Sequence, residues 1–235
     1  MQYKVEIHAH TSDISKCAHM PPQKVADQYI AAGYSTVVVT NHYVEYNFDT
    51  EKTWEESIER YLSPIHEMQA YAGDRLTVLT GAEVRNYDTS NDYLILGADE
   101  AFFRKHRYLH RLKLKVLSRL VREYGALLVQ AHPFRNGMSV IDPTILDGIE
   151  VFNATPGHNS RNRFADRWAK EFGLIRTSGS DFHGLTTPIT GGILTTTPVK
   201  TPAELACILR SGCYDLICTG IAAEREGMHT MPAKE

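Results

Sequence analysis

Seven short apolar runs rich in β-branched residues recur along the 235-residue chain: Tyr3–Ile7, Thr36–Thr40, Leu76–Ala82, Tyr93–Leu96, Ala126–Ala131, Gly148–Phe152 and Leu174–Thr177. Near-continuous apolar runs of this length suit strands buried on both faces of a parallel sheet. Helical patterns lie between them. Pro21–Gly33 opens on prolines and closes on a glycine, and Trp54–Ala72, Ala101–Tyr124 and Asn159–Phe172 come after it. Leu109, Leu112, Val116 and Leu120 keep helical spacing within the third of these. Strands alternating with helices imply βα units, and so a parallel sheet or an α/β barrel. The length allows either as one domain with a core of its own. Residues 1–221 are expected to form that domain, with a polar and mobile tail at 222–235.

Composition removes several classes. The formal net charge is −3, and the 25 basic residues are scattered. No basic face is announced, so a dedicated nucleic-acid binder is disfavoured. No apolar run approaches membrane-spanning length. The opening MQYKVEIHAH lacks the apolar segment of a signal peptide. Cys17, Cys207, Cys213 and Cys218 show no Cys-x-x-Cys spacing, which disfavours a disulfide framework and a structural zinc knuckle. A reducing, cytoplasmic setting is the expectation, with Cys17 as a buried or loop thiol.

The residues that carry chemistry cluster at the C-terminal ends of the strands. The first strand leads to His8-Ala9-His10, the second to Asn41-His42, and the third to Glu83-Val84-Arg85. The fourth leads to Asp99, the fifth to His132-Pro133, the sixth gives Glu150 and Asn153, and the seventh leads to Asp181-Phe182-His183. In α/β barrels the C-terminal rim of the strands is where active sites assemble. Residues i and i+2 of an extended chain point the same way, so His8 and His10 aim together, as do Asp181 and His183. Imidazoles mixed with carboxylates suit Zn²⁺, Mn²⁺ or Fe better than Mg²⁺ or Ca²⁺, and a carboxylate such as Glu83 can bridge two ions. His66, His106 and His110 fall inside helical patterns and read as packing or solvated residues.

In combination these motifs resemble the polymerase-and-histidinol-phosphatase (PHP) family of metal-dependent phosphoesterases. The resemblance rests on His8-Ala9-His10-Thr11, Thr40-Asn41-His42, Gly81-Ala82-Glu83, Ala131-His132-Pro133 and Gly179-Ser180-Asp181-Phe182-His183, in that order. It implies a distorted (β/α)7 TIM-like barrel holding two or three divalent ions. His8, His10, Glu83 and Asp181 would hold the first ion, and Glu83 and His132 the second. His42 and His183 would hold a third, more weakly. The chain departs from the pattern in three places. Asn41 stands where the family often has Asp, Asp99 falls where a second-ion histidine is usual, and Asp13 is the nearest further ligand for the third ion.

The implied reaction is hydrolysis of a small phosphate ester by a metal-bound hydroxide, since a bound ion brings the pKa of water from about 16 towards about 7. Arg85, Arg135 and Arg161 are candidate phosphate clamps, because guanidinium matches phosphate oxygens bidentately. An amidohydrolase-type C–N or lactone hydrolase, or a metal-bearing regulatory domain without turnover, are the competing readings.

Overall fold

The computed structural model describes residues 1–48 and 52–234. Each apolar run supplies a strand. These are β1 (Tyr3–Ala9), β2 (Tyr34–Val39) with its short continuation β3 (His42–Tyr43), β4 (Thr77–Thr80) and β5 (Ala82–Arg85), β6 (Asp92–Leu96), β7 (Leu127–Gln130), β8 (Gly148–Asn153) and β9 (Ile175–Gly179). Three short strands near the C-terminus have no counterpart among the seven runs: β10 (Ile193–Thr195), β11 (Asp215–Leu216) and β12 (Met231–Pro232). The helices are α1 (Pro22–Ala31), α2 (Trp54–Ala72), α3 (Glu100–Lys105), α4 (Leu114–Tyr124), α5 (Asn162–Phe172), α6 (Pro202–Ser211) and α7 (Gly220–Glu226). Capping boxes start α2 (Thr53 with Glu56) and α6 (Thr201 with Glu204), each satisfying two backbone N–H groups that a helix start leaves free.

The strands form two six-stranded mixed sheets, ordered β12-β11-β10-β1-β2-β4 and β3-β5-β6-β7-β8-β9. Among the described residues they do not close into one barrel, which corrects the expected ring of seven parallel strands. The sheets are nevertheless continuous in chain. Gly81 joins β4 to β5, and a side chain there would bring Cβ within 2.7 Å of Val38 Cγ1. Strand β6 runs antiparallel to both β5 and β7. The cause is the connection: residues 86–91 are too few for a parallel crossover, which needs about a dozen residues or more.

One further expectation changes. The helix expected over Ala101–Tyr124 is two helices. The chain turns at Tyr108, whose φ is 51°, and the short 3-10 turn Leu109–Arg111 places Leu109 and His110 in the interior. Residues 222–234 carry the end of α7 and strand β12. Glu226 of α7 accepts from the Asn162 and Arg163 amides at 2.9 Å each, capping α5. Two apolar clusters fill the spaces between sheets and helices, one around Tyr29, Tyr61 and Phe103, the other around Ile7, Val151 and Leu205. Each such buried side chain contributes about 1.5–3 kcal/mol.

Candidate metal centre

The ends of β1, β3, β5 and β7 and the segment after β9 meet at one rim. A backbone bridge pairs Ala9 with Phe182, with His10 donating to the Phe182 carbonyl at 3.0 Å. The i, i+2 pairs on either side of that bridge, His8/His10 and Asp181/His183, are thereby brought together. In the β3–β5 register His42 stands opposite Glu83. Glu83 is the hub. Its Oε1 lies 3.4 Å from His8 Nε2 and 3.0 Å from His132 Nε2, and its Oε2 lies 3.4 Å from His10 Nε2 and 2.8 Å from His42 Nδ1. Asp181 Oδ1 is 3.3 Å from His8 Nε2, 3.5 Å from His10 Nε2 and 3.4 Å from His183 Nδ1. Three groups of potential ligands result: His8, His10 and Asp181; His8, Glu83 and His132; His10, His42 and His183.

The rings are oriented from behind. His8 Nδ1 lies 2.8 Å from Glu150 Oε1. His10 Nδ1 lies 3.0 Å from Ser15 Oγ, whose own proton goes to Asn41 Oδ1 at 3.1 Å. His183 Nδ1 lies 2.8 Å from the Asp181 carbonyl. An acceptor at Nδ1 places the ring proton there and leaves the Nε2 lone pair facing the rim, the pattern of a metal-ligating histidine. Consistent with this, the buried Nε2 atoms of His8 and His10 make no hydrogen bond. Nε2 and carboxylate oxygens spaced at 3.0–3.5 Å around such unpartnered lone pairs are the donor set of a divalent cation. The residues present therefore fit the implied metals.

The carboxylates concentrate negative charge at the rim, which favours either a second ring proton on His8 or a cation in its place. Burial opposes charge on His8, but the Asp181, Glu150 and Glu83 carboxylates outweigh it and hold the imidazole well above its usual range. Burial, with His183 and His42 nearby, holds His10 well below it. Glu83 and Asp181 stay well below the usual carboxyl range despite burial, held by His42 and His8 for Glu83, and by His8 and Arg135 for Asp181. His132 and Asp181 have φ values of 28° and 51°, a region costly for residues with a side chain by about 1–3 kcal/mol. The His132 amide is fixed by Glu150 Oε2 at 2.9 Å, and Asp181 Oδ2 by Arg135 at 2.8 Å and Asn153 at 3.1 Å.

The remaining candidates are placed differently. Asp99 is not in the cluster. Because β6 is antiparallel, its C-terminal end lies at the far rim, and the Asp99 carboxylate caps α3 by accepting from the Phe102 amide. Asp13 is exposed and belongs to none of the three groups. Arg85 makes a bidentate pair with Asp92, both bonds 2.7 Å, and lines a cavity of about 780 Å³ with Lys16, Cys17, His42, Tyr46 and Tyr87. Arg135 sits inside the cluster, bonded to Asp181 and Asn153, with a buried Nε–H that has no partner. Arg161 donates to the Phe134 carbonyl and Asn136, bracing the loop after His132.

Sequence reasoning gives no ligand or clamp role to Glu6, Glu150, Asn153 or Cys17, yet all four serve the rim. The buried Glu6 carboxylate accepts from the His8 and Ser180 amides at 3.0 Å each and from the Tyr29 hydroxyl at 3.1 Å, tying β1 to the segment after β9. Burial pushes its carboxyl above the usual range, against those amides. Cys17 Sγ is 3.2 Å from His42 Nε2 and 3.1 Å from His183 Nε2. Asn41, where the family often has Asp, holds the Thr11 amide at 2.8 Å.

No family model matches the chain, and no curated protein matches it. Solved structures do. A two-domain protein containing a predicted PHP-like metal-dependent phosphoesterase, from Bacteroides vulgatus, superposes with a TM-score of 0.65 at 14% identity over 92% of this chain. The chain spans 64% of that protein's length, less than two thirds. The lesion-specific endonuclease PfuEndoQ from Pyrococcus furiosus gives 0.61 at 14% identity, over 92% of this chain and 58% of that one. An amidohydrolase from Chromobacterium violaceum gives 0.55 at 16%, over 88% and 95%. The chain is thus a mixed α/β protein with the fold of PHP-like and amidohydrolase proteins. A fold shared among three different activities does not choose between them.

Proposed function

We propose that the protein is a metal-dependent phosphoesterase of the PHP type, acting on a small phosphate ester. The observation that carries this reading is the convergence of five histidines, Glu83 and Asp181 at one buried rim, with Nε2 lone pairs left unpartnered beside a buried, unpartnered Arg135 N–H. His8, His10, Glu83 and Asp181 would hold one ion, Glu83 and His132 a second, and His42 and His183 a third. Zinc, manganese or iron bound there would supply an activated water and charge to offset that of the transition state.

The chain's own groups supply the rest. Arg135 is fixed by Asp181 and Asn153 with its Nε–H free, which is the arrangement for holding one oxygen of a tetrahedral anion beside the ions. Lys16 and Arg85 put two cations on the wall of the adjoining cavity, and Tyr46 and Tyr87 give it apolar faces. Its volume, about 780 Å³, is that of a small-molecule site. Glu150 and Ser15 keep the His8 and His10 rings in the ligating tautomer. No described helix is long and apolar enough to cross a membrane.

The test is a panel of phosphomonoesters, phosphodiesters, a duplex with an abasic lesion, amides and lactones, each with Mn²⁺ or Zn²⁺ and again after chelation. Metal-dependent cleavage of small phosphate esters is expected. Cleavage of the duplex alone would move the substrate to nucleic acid, the class named for the endonuclease of similar fold. Turnover of amides or lactones alone would overturn the phosphoesterase reading.

A further inference from the structure

We propose that Cys17 is the third protein ligand of the ion held by His42 and His183, which makes that position a thiolate-bearing site selective for zinc-like metals. The inference rests on the reading of the rim as a metal centre. Cys17 lies in the loop after β1, and its sulfur touches the Nε2 atoms of both histidines, at 3.2 and 3.1 Å. Sulfur at about 2.3 Å and nitrogen at about 2.0 Å from one tetrahedral zinc stand about 3.5 Å apart, close to these separations.

Two bonding schemes satisfy the arrangement, and only one of them needs no cation. His183 Nδ1 faces the Asp181 carbonyl at 2.8 Å, and His42 Nδ1 faces Glu83 Oε2 at 2.8 Å. With the ring protons on those nitrogens, both Nε2 atoms present lone pairs to one thiol. A neutral thiol has a single proton and satisfies one of them; without a cation, satisfying both takes a thiolate accepting from two doubly protonated rings. A cation between the sulfur and the two nitrogens satisfies both, with the thiol proton released to solvent as the metal binds. A second observation points the same way. The buried His10 Nε2, assigned above to the neighbouring ion, has no hydrogen bond and lies within 4.8 Å of ligand atoms of His42 and His183, so the thiol stands beside an unfilled donor set. Asp13, four residues earlier in the same loop, is exposed and takes no part.

A thiolate changes what the position accepts. Soft sulfur favours zinc, and disfavours magnesium and manganese, which prefer oxygen. The anion also strengthens a position that two neutral imidazoles would hold weakly.

Cobalt(II) substitution tests this without reference to activity. The cobalt-loaded protein is expected to show a near-ultraviolet thiolate-to-cobalt charge-transfer band. Cys17→Ser is expected to remove that band and one equivalent of cobalt, while the visible bands of the other ions persist. Full cobalt loading with no charge-transfer band, or a band that survives in Cys17→Ser, overturns the proposal and leaves the metal centre standing. A chain that takes up no cobalt overturns both. Alkylation followed by mass spectrometry gives an independent reading, because Cys207 and Cys213 are exposed and serve as internal references. Zinc is expected to protect Cys17 but neither reference, and magnesium none of the three. Equal alkylation of Cys17 with and without zinc overturns the proposal.

Discussion

Histidine occurs in two settings in this molecule. At the rim, His8, His10, His42, His132 and His183 stand on strand ends or the turns after them, and their rings crowd together; His10 and His183 have centroids 4.3 Å apart. Below the rim, His110 packs inside, stacked on Phe48 at 5.6 Å, and its Nε2 meets the surface carboxylate of Glu45 at 2.7 Å. His110 has one anionic partner, exposed, on one side of the ring. Each rim histidine faces a shared, buried carboxylate, and three of them have an oxygen acceptor behind the ring. The chemical type of the side chain therefore says little. His110 also leaves its buried Nδ1 without a hydrogen bond, so an unsatisfied ring nitrogen alone does not mark a ligand; what sets the rim apart is that several rings converge on the shared, buried carboxylates of Glu83 and Asp181.

The strongest way to break this contrast is to remove the hub. Glu83→Gln keeps the shape and removes the charge that His8, His10, His42 and His132 share. Loss of bound metal by elemental analysis is expected, with kcat/KM for a phosphate ester down about 10³-fold, equivalent to roughly 4 kcal/mol. Full metal content in this variant would put the rim and the Glu45 region in the same class. Next in size is Glu150→Gln, which leaves the ligands in place and weakens the orientation of His8 and the His132 amide. Metal affinity is expected to fall about 10–100-fold in a competitive chelator titration, as for other groups behind a ligating histidine. An unchanged affinity would show that ring orientation at His8 is set by packing alone.

Gly179→Ala probes the same place sterically. A Cβ at residue 179 would stand 2.5 Å from His8 Cβ and 2.7 Å from Glu150 Oε1. Overpacking of this kind costs about 1–3 kcal/mol. Here it should lower the urea midpoint and metal content together. A stable variant with normal metal content would show that β8, β9 and β1 can separate without disturbing the ligands.

Much of the rim was legible because its ligands obey a local rule, the two-residue repeat of an extended chain ending at a turn. His8 with His10 and Asp181 with His183 needed nothing beyond it, and the seven apolar runs each hold a strand. What escaped depends on direction and on return paths. The short loop 86–91 makes β6 antiparallel and sends Asp99 to the far rim, and the short antiparallel strands β10, β11 and β12 extend the other sheet beyond the seven runs. Glu6 and Glu150 sit within apolar runs, where a lone carboxylate resembles any polar interruption until its amide partners on other strands are known. Cys17 reaches the rim because a loop folds back, and no periodicity encodes that. Tyr108 breaks the expected long helix with a left-handed turn at a residue type that gives no warning of one.

The smallest expected effect belongs to the other side of the contrast. Glu45 is exposed and accepts from Arg111 Nε at 2.9 Å and from His110 Nε2. Arg111, with His110 adding to it against slight burial, holds the Glu45 carboxyl down at about 2 from an ordinary 4.5. A depressed carboxyl contributes stability above the unfolded value and loses it as pH falls through the folded one. Solvent screening limits such a pair to about 0–1 kcal/mol. Glu45→Gln should therefore lower the urea midpoint slightly at pH 7. The gap from the unsubstituted protein should narrow as pH falls from about 4.5 towards about 2, where Glu45 is protonated in both states. Metal content measured at pH 7 should not change. A loss of about 2 kcal/mol or more, or a loss of metal, would mean that the Glu45–His110 contact props up the rim through Tyr43, which packs against His110 at 5.6 Å and comes directly after His42 in the chain.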